Sequence, residues 1–434
     1  MKQGVSMQEV SLKDNSKNPE GPVYSKDLMK NSFIYRTLLD SDRKELYEWV
    51  RGFSEKELVP RTIKLHKGEA KFKGHKGDVA PEQIVNLDQF RPIGVPARYE
   101  GGMDEFAGIV DLVILHQVLA YGSASAAAFF DGHGLFVCPL LLAGTEAQKA
   151  FYLPKMVSGE WTGCYGLTDL NCGSDVAHMT TLQYEKQGDL YLLNGAKTFV
   201  TNGPFADHTV AFAKEKGNDA TYKNITAFIV PAAKNGTPGF VAEKPMDKLG
   251  WRASDTSIIS MDYVAVPREN ILGEEGQGFQ IAVTTLAYGR LKVAAEALGI
   301  MERVYDELVT FAQERGAYGG GKLKNAPVFQ YQLAGIAQKI QATRDMIYNA
   351  AFLAESRTDE GKVPSFAIEV GLVKSFAGRN LQKVANLGVQ LHGGSGFIHE
   401  YAVSVFVPDS LLYMIGEGAD NPLLISTGAA LLGK

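Results

Sequence analysis

The chain is poor in cysteine: Cys138, Cys164 and Cys172 are its only three. None stands in C-x-x-C spacing, so a disulfide framework or a cysteine-rich metal centre is excluded, and the usage fits a reducing compartment. No apolar run reaches the span of a membrane helix. The opening stretch MKQGVSMQEVSLKDNSKNPEGPVYSKD has neither the apolar core of a signal peptide nor the Arg-rich, acid-poor bias of a transit peptide. Positive charge is not in excess either, with 44 Lys and Arg against 49 Asp and Glu and a net charge of -5. No global field is therefore available to gather nucleic acid or anionic lipid. There is no P-loop, no H-E-x-x-H and no G-x-S-x-G, and GGSGF at Gly393 to Phe397 is not a G-x-G-x-x-G following a strand. These absences leave a Rossmann nicotinamide site and a metal centre without support. His392 and His399, which flank that glycine break, read as capping or loop residues.

What is there describes a large globular chain. At 434 residues with 45% hydrophobic and 21% charged residues, it exceeds one ordinary core. Residues 1–25 read as a polar extension. Residues 26–160 carry apolar positions at helical spacing, and Thr145 with Gln148 three positions on forms a capping-box signature that opens a short helix before Pro154. From 161 to 275 the period changes. YLLNGAKTFVTNG, HTVAFAKE, NITAFIVPAA and TSIISMDYVAVP are short β-rich runs divided by turn residues. From 276 to 434 helices resume, with Phe279, Ala282, Val283 and Leu286 on one stripe and Val373, Ala377, Leu381 and Val384 on another, as in a helical bundle. The expected class is α+β, ordered α, β, α.

The candidates for chemistry reduce to acids. Glu417 stands between Gly416 and Gly418, which let backbone approach a neighbour closely and leave the carboxylate little shielding. A general base and a helix-end or exposed acid both fit it. Glu274 and Glu275 in GEEG lie between a strand and a helix, where charges at a helix N-terminus account for them. Ser174 in NCGSD reads as a turn residue, and Cys172 as a small buried hydrophobe.

Several stretches taken in order resemble the acyl-CoA dehydrogenase family of flavoproteins from about Asp27 onward. They are GCYGLTDLNCGSDVAHMTT, LNGAKTFVTNGPFAD, DKLGWRASDT, VPRENILGEEGQGFQ, GRLKVAAEALGI, ERGAY, VFQYQLAGI, VQLHGGSGFIHEY and the Glu417 stretch. The resemblance implies an N-terminal α-helical domain, a middle β domain and a C-terminal four-helix bundle. It also implies FAD as cofactor, a homotetramer built as a dimer of dimers, and oxidation of an acyl-CoA substrate to the 2,3-enoyl-CoA with electron-transfer flavoprotein as partner. Glu417 matches the family's base, and its amide the donor that polarises the thioester carbonyl. The position that carries the base in other members is Gly289 here.

By the same resemblance, Tyr165, Leu167, Thr168 and Ser174 line the flavin, and Phe199, Val200 and Thr201 stack against its ring. Arg315, Tyr318, Phe329 and Gln330 reach the pyrophosphate and adenine side, of the adjacent subunit's cofactor. Gln390, Gly393 and Gly394 complete the adenosine site, and Ala419 and Asn421 follow the base toward the cofactor. Ser174 and Arg290 face the CoA arm, and Gly416 and Gly418 the acyl group. The chain departs from the family pattern in three places: Gly416 replaces a Tyr, leaving room for a branched, cyclic or aromatic acyl group; Ala419 replaces a Thr; and Pro408 replaces an Arg. Alternatives are an oxidase or monooxygenase of the same superfamily, or a non-catalytic flavin-binding interaction protein. The compartment that fits is the cytoplasm of a bacterium or archaeon, with the mitochondrial matrix as the alternative.

Overall fold

Helices begin where side chains can satisfy the free amides of a first turn. Asp40 accepts from the Arg43 amide at 2.9 Å and starts α1 (Ser41–Phe53). α2 (Thr62–Lys67) ends on Gly68 in the left-handed region. A short parallel pair, β1 (Lys71–Phe72) with β2 (Ile84–Val85), precedes α3 (Ile109–Gly122), α4 (Ala124–Ala143) and α5 (Glu146–Val157). The computed structural model describes residues 27–74, 79–218, 222–317, 319–356 and 366–433. The expected extension, 1–25, lies outside them.

The capping box at α5 is present in both directions. Thr145 Oγ1 accepts from the Gln148 amide at 3.1 Å, and Gln148 Oε1 accepts from the Thr145 amide at 2.9 Å. The helix does not stop before Pro154, contrary to the expectation; it runs through to Val157. Leu153, Met156 and Val157 are buried in the core beside the proline, and that burial outweighs one lost backbone hydrogen bond. A second expectation is corrected at α4. By length and composition it does reach the span of a membrane helix, but most of it is buried inside the molecule and it carries Asp131 and His133. It is a core helix.

The middle of the chain is one sheet of eight strands: β3 (Gly163–Gly166), β4 (Gln183–Gln187), β5 (Leu190–Thr201), β6 (His208–Glu215), β7 (Ile225–Pro231), β8 (Phe240–Ala242), β9 (Thr256–Pro267) and β10 (Ile271–Leu272). Its order is β10-β7-β6-β4-β5-β9-β8, with β3 joining β6 in parallel beside this path. The longest ladder, β5 with β9, is antiparallel and breaks register between Leu193 and Gly195 and again between Lys197 and Val200. The first break requires glycine: a Cβ at Gly195 would stand 1.8 Å from the Thr181 carbonyl oxygen. The second turns Phe199 into the left-handed region with φ 55°.

The helical C-terminal domain follows: α6 (Gly278–Glu314), α7 (Pro327–Ser356), α8 (Ala367–His392), α9 (Val403–Leu412) and α10 (Asp420–Leu431). α6 is the spine. It packs on α3, α7 and α8, and it touches α3 so closely that a Cβ at Gly299 would lie 1.8 Å from the Gln117 carbonyl oxygen. The expected core stripe of α8, Val373, Ala377, Leu381 and Val384, is buried. One hydrophobic core runs from the N-terminal helices into this domain.

Candidate active site

The loop between α9 and α10 carries Glu417 with φ 54°, a conformation that non-glycine residues avoid and that needs external support. Three cations from the neighbouring helices supply it. Arg290 Nε on α6 donates to the Glu417 carbonyl oxygen at 3.0 Å, and Lys374 Nζ on α8 donates to the Gly418 carbonyl oxygen at 2.7 Å. Arg379, also on α8, pairs with Asp420 at 2.6 Å. Gly418, at φ 108°, completes the turn. A loop fixed this way holds the Glu417 side chain against α6.

The carboxylate of Glu417 ends over Gly289 of α6, where an added Cβ would stand 2.6 Å from Oε2. Positions 289 and 417, the two that the resemblance implies for a base, are therefore adjacent in space. Oε2 is buried with no hydrogen-bond partner among the described residues, as is the Tyr165 hydroxyl. Burial, reinforced by the negative charge of Asp131, pushes Glu417 up to about 8, against the pull of Lys292, Arg290 and Lys374. An acid whose charged form is disfavoured and whose oxygen lacks a partner is disposed to take a proton from something placed beside it.

One turn further along α6 the same face carries Lys292, and one turn beyond that Glu296. Lys292 pairs with Asp131 of α4 at 2.6 Å. Glu296 is held on both oxygens, by His116 Nδ1 at 2.8 Å and by the Tyr413 hydroxyl at 3.2 Å. His116, Asp131 and Glu296 bring ligand-type atoms within 4.8 Å of one another, but Lys292 already supplies the positive charge there. The sequence analysis missed Asp131, Lys292 and Lys374. The signal was present in GRLKVAAEALG: Gly289, Lys292 and Glu296 recur at i, i+3 and i+7, which puts polar groups on a helix face that has to be buried.

The other expected residues fall into separate groups. In the middle domain the Thr198 amide donates to the Thr168 carbonyl oxygen at 3.0 Å, tying the loop from Leu167 to Ser174 to the bulge of β5. Phe199 is 66% exposed on that bulge, Ser174 is exposed, and Thr168 and Thr201 are half-buried. Val200 and Leu167 are buried instead; strand alternation turns Val200 into the sheet when Phe199 faces out. Arg315, Gln330, Gln390, Gly393 and Gly394 lie exposed at the ends of α6, α7 and α8, with open space beside both glycines. Phe329 is buried in the helical core at the start of α7. Tyr318 lies outside the described residues. Arg290, expected along the CoA arm, is placed against the Glu417 backbone because it directly follows Gly289 on α6. Ala419 caps α10, and Asn421 is exposed in its first turn. Gly416 has only ordinary contacts beside it, the nearest at 3.4 Å from Leu412. His392 is the buried last residue of α8 and bonds the Gly388 carbonyl one turn back, while His399 bonds the Ser404 hydroxyl.

Three family models match the chain in succession: the N-terminal domain of acyl-CoA dehydrogenase over residues 40–160, its middle domain over 164–264 and its C-terminal domain over 276–432. A short-chain-specific acyl-CoA dehydrogenase of Megasphaera elsdenii is 34% identical over 399 residues, covering 90% of this chain and 98% of its own. The caffeyl-CoA reductase-Etf complex subunit CarC of Acetobacterium woodii is 31% identical over 397 residues, covering 90% and 98%. The solved structure of butyryl-CoA dehydrogenase from Megasphaera elsdenii is similar with a TM-score of 0.82 at 31% identity, covering 91% of this chain and 99% of that one.

Proposed function

The chain belongs to the acyl-CoA dehydrogenase family of oxidoreductases, and from that premise we propose that it oxidises an acyl-CoA to the 2,3-enoyl-CoA with Glu417 as the base. The observation that carries this reading is the Glu417 carboxylate, buried over Gly289 with Oε2 unpartnered and its proton affinity raised. A base in this state gains from accepting the α-proton of a thioester, because protonation removes a charge that the surroundings solvate poorly. The Glu417 amide, fixed by the Arg290 and Lys374 contacts on either side of the turn, polarises the thioester carbonyl so that the α-proton becomes acidic.

FAD is the cofactor of this reading and supplies the hydride acceptor when bound. The residues present fit it. Phe199 offers an exposed aromatic ring on a strand bulge, with Thr201 two residues on and Thr168, of the segment that also carries Tyr165 and Ser174, bonded to the adjacent Thr198. Arg315, Gln330, Gln390 and the open backbone at Gly393 and Gly394 offer donors suited to a diphosphate and adenosine. The second group serves the cofactor of an adjacent subunit in a homotetramer. Electron-transfer flavoprotein is the electron acceptor, the resemblance to a subunit of an Etf complex supporting that partner. Ser174 serves the CoA arm and Gly418 the acyl group, and the absence of a side chain at Gly416 favours a branched, cyclic or aromatic acyl group. The division at 1–25, 26–160, 161–275 and 276–434, with activity in the cytoplasm, belongs to the same proposal.

The test is bleaching of bound flavin by straight, branched, cyclic and aromatic acyl-CoAs in rapid mixing, with Glu417→Gln as control. Bleaching by the wild type and not by the variant is expected. Equal rates in both would remove Glu417 as base, and rapid reoxidation of the substrate-reduced flavin by O₂ would identify an oxidase instead.

A further inference from the structure

The side chains buried between α6 and α4 beside Glu417 are polar. Glu417 lies over Gly289, and the next turn of α6 on the same face presents Lys292, whose ammonium is 2.6 Å from Asp131 of α4. Gly134, one turn beyond Asp131 on α4, lets that helix pack close to the ammonium: a Cβ there would stand only 3.2 Å from Nζ. The two side chains keep 7% and 11% of their surface accessible, as groups facing a narrow space do. The Tyr165 hydroxyl adds a buried polar atom with no partner among the described residues, and both it and Lys292 lie close enough to Glu417 to act on its charge. An apolar helix pair would have closed this space with methyl groups.

From these polar groups we infer that the enzyme selects acyl groups carrying a neutral hydrogen-bonding group, a hydroxyl, carbonyl or amide, on the carbons beyond the two that react. The inference rests on Glu417 marking the reacting carbons. A plain alkyl end pushed against Lys292 and Asp131 strips them of residual water and returns nothing, whereas a hydroxyl or carbonyl can bond the ammonium and the carboxylate together. A carboxylate-ended chain is disfavoured too, because Asp131 already neutralises Lys292. Width and end chemistry are thus set separately, by Gly416 and by the Lys292–Asp131 pair.

The decisive comparison uses hexanoyl-CoA against the ω-hydroxypentanoyl-CoA of equal heavy-atom count, with glutaryl-CoA as the anionic arm. Both flavin bleaching by the wild-type holoenzyme and equilibrium binding to the Glu417→Gln holoenzyme are measured. The hydroxyl-ended substrate is expected to lead hexanoyl-CoA by at least about tenfold in kcat/KM and in affinity. A Lys292→Met, Asp131→Leu double variant, which replaces the ion pair by apolar groups of similar size, is expected to reverse the order. Equal use of both substrates by the wild type, or a lead for glutaryl-CoA, overturns the inference even if the double variant does not fold. A Glu417→Gln protein that still bleaches its flavin overturns the base assignment instead, and the binding order then judges the polar groups by themselves.

Discussion

Glu275 and Glu417 occupy closely similar sequence: each follows or precedes glycine in a tight turn, and each lies a few residues ahead of a helix. Their surroundings separate them. Glu275 is exposed, its carboxylate pairs with Lys186, and it accepts a hydrogen bond from the Tyr191 hydroxyl. Burial is the largest single influence and pushes its pKa up, but Lys186 and Tyr191 together outweigh it and the net shift is downward. At Glu417 burial dominates, Oε2 finds no partner, and the shift is upward to about 8. Two of the cations around Glu417 bond the backbone, not its carboxylate: Arg290 holds one carbonyl and Lys374 the next. A carboxylate is made reactive here by directing the available donors to the chain that carries it.

The sharpest way to break that contrast is to move the acid. Glu417→Gln should slow flavin reduction by roughly 10³-fold while acyl-CoA still binds, the usual cost of losing a positioned general base. Because Gly289 would place a Cβ 2.6 Å from the present Oε2, a Glu417→Gly, Gly289→Glu double variant should recover part of that loss, whereas Glu417→Gly alone should not. Single-turnover bleaching measures all three. No recovery in a double variant that retains its flavin would show that the conformation of the loop, not only the place of the carboxylate, is needed for the proton transfer.

The fold was legible because its signals are local and repeated. The capping box at Thr145 and Gln148, the period change near Trp161 and the stripe through Val373, Ala377, Leu381 and Val384 each specify an element without reference to distant chain. Glu417 was legible as an acid between glycines, and the family resemblance singled it out. What a single sequence hides is pairing across the fold. Lys292 meets Asp131, and Lys374 meets Gly418, across separations that no window spans. The family resemblance put Arg290 along the CoA arm; the fold adds a hydrogen bond from its Nε to the Glu417 carbonyl that no sequence window displays. Phe329, which the resemblance put on the adenine side, is packed in the core at the start of α7, a burial its motif does not display.

A second contrast lies in pH. The pKa of Glu417 rises from 4.5 to about 8 on folding, so between those values the folded state keeps a proton that the unfolded state has lost. Its contribution to stability is present at low pH and is lost as pH climbs through about 8. Glutamine does not titrate. Glu417→Gln should therefore gain stability over the wild type as pH rises, by on the order of 2 kcal/mol above the upper value once its partial exposure is discounted. Denaturant midpoints at pH 5 and pH 9 check this, and a difference that does not change with pH would show the acid to be ordinarily solvated. Flavin reduction by the wild type should quicken over the same interval as the base loses its proton.

The smallest effect belongs to the other acid, and it is the one that completes the comparison. Glu275→Gln removes an exposed ion pair with Lys186 but keeps an acceptor for the Tyr191 hydroxyl. Exposed pairs of this kind contribute about 0–1 kcal/mol, so the midpoint should move little and the flavin-reduction rate not at all. The sign can be specified as well. The downward shift at Glu275 means its carboxylate stabilises the fold above its unfolded pKa and loses that contribution as pH falls through its folded pKa. Any penalty in Glu275→Gln should accordingly appear at neutral pH and vanish in acid, opposite in direction to the trend at Glu417. If the two variants instead drift the same way with pH, the local glycine-flanked turn governs both acids, and the partners that surround them in the fold do not.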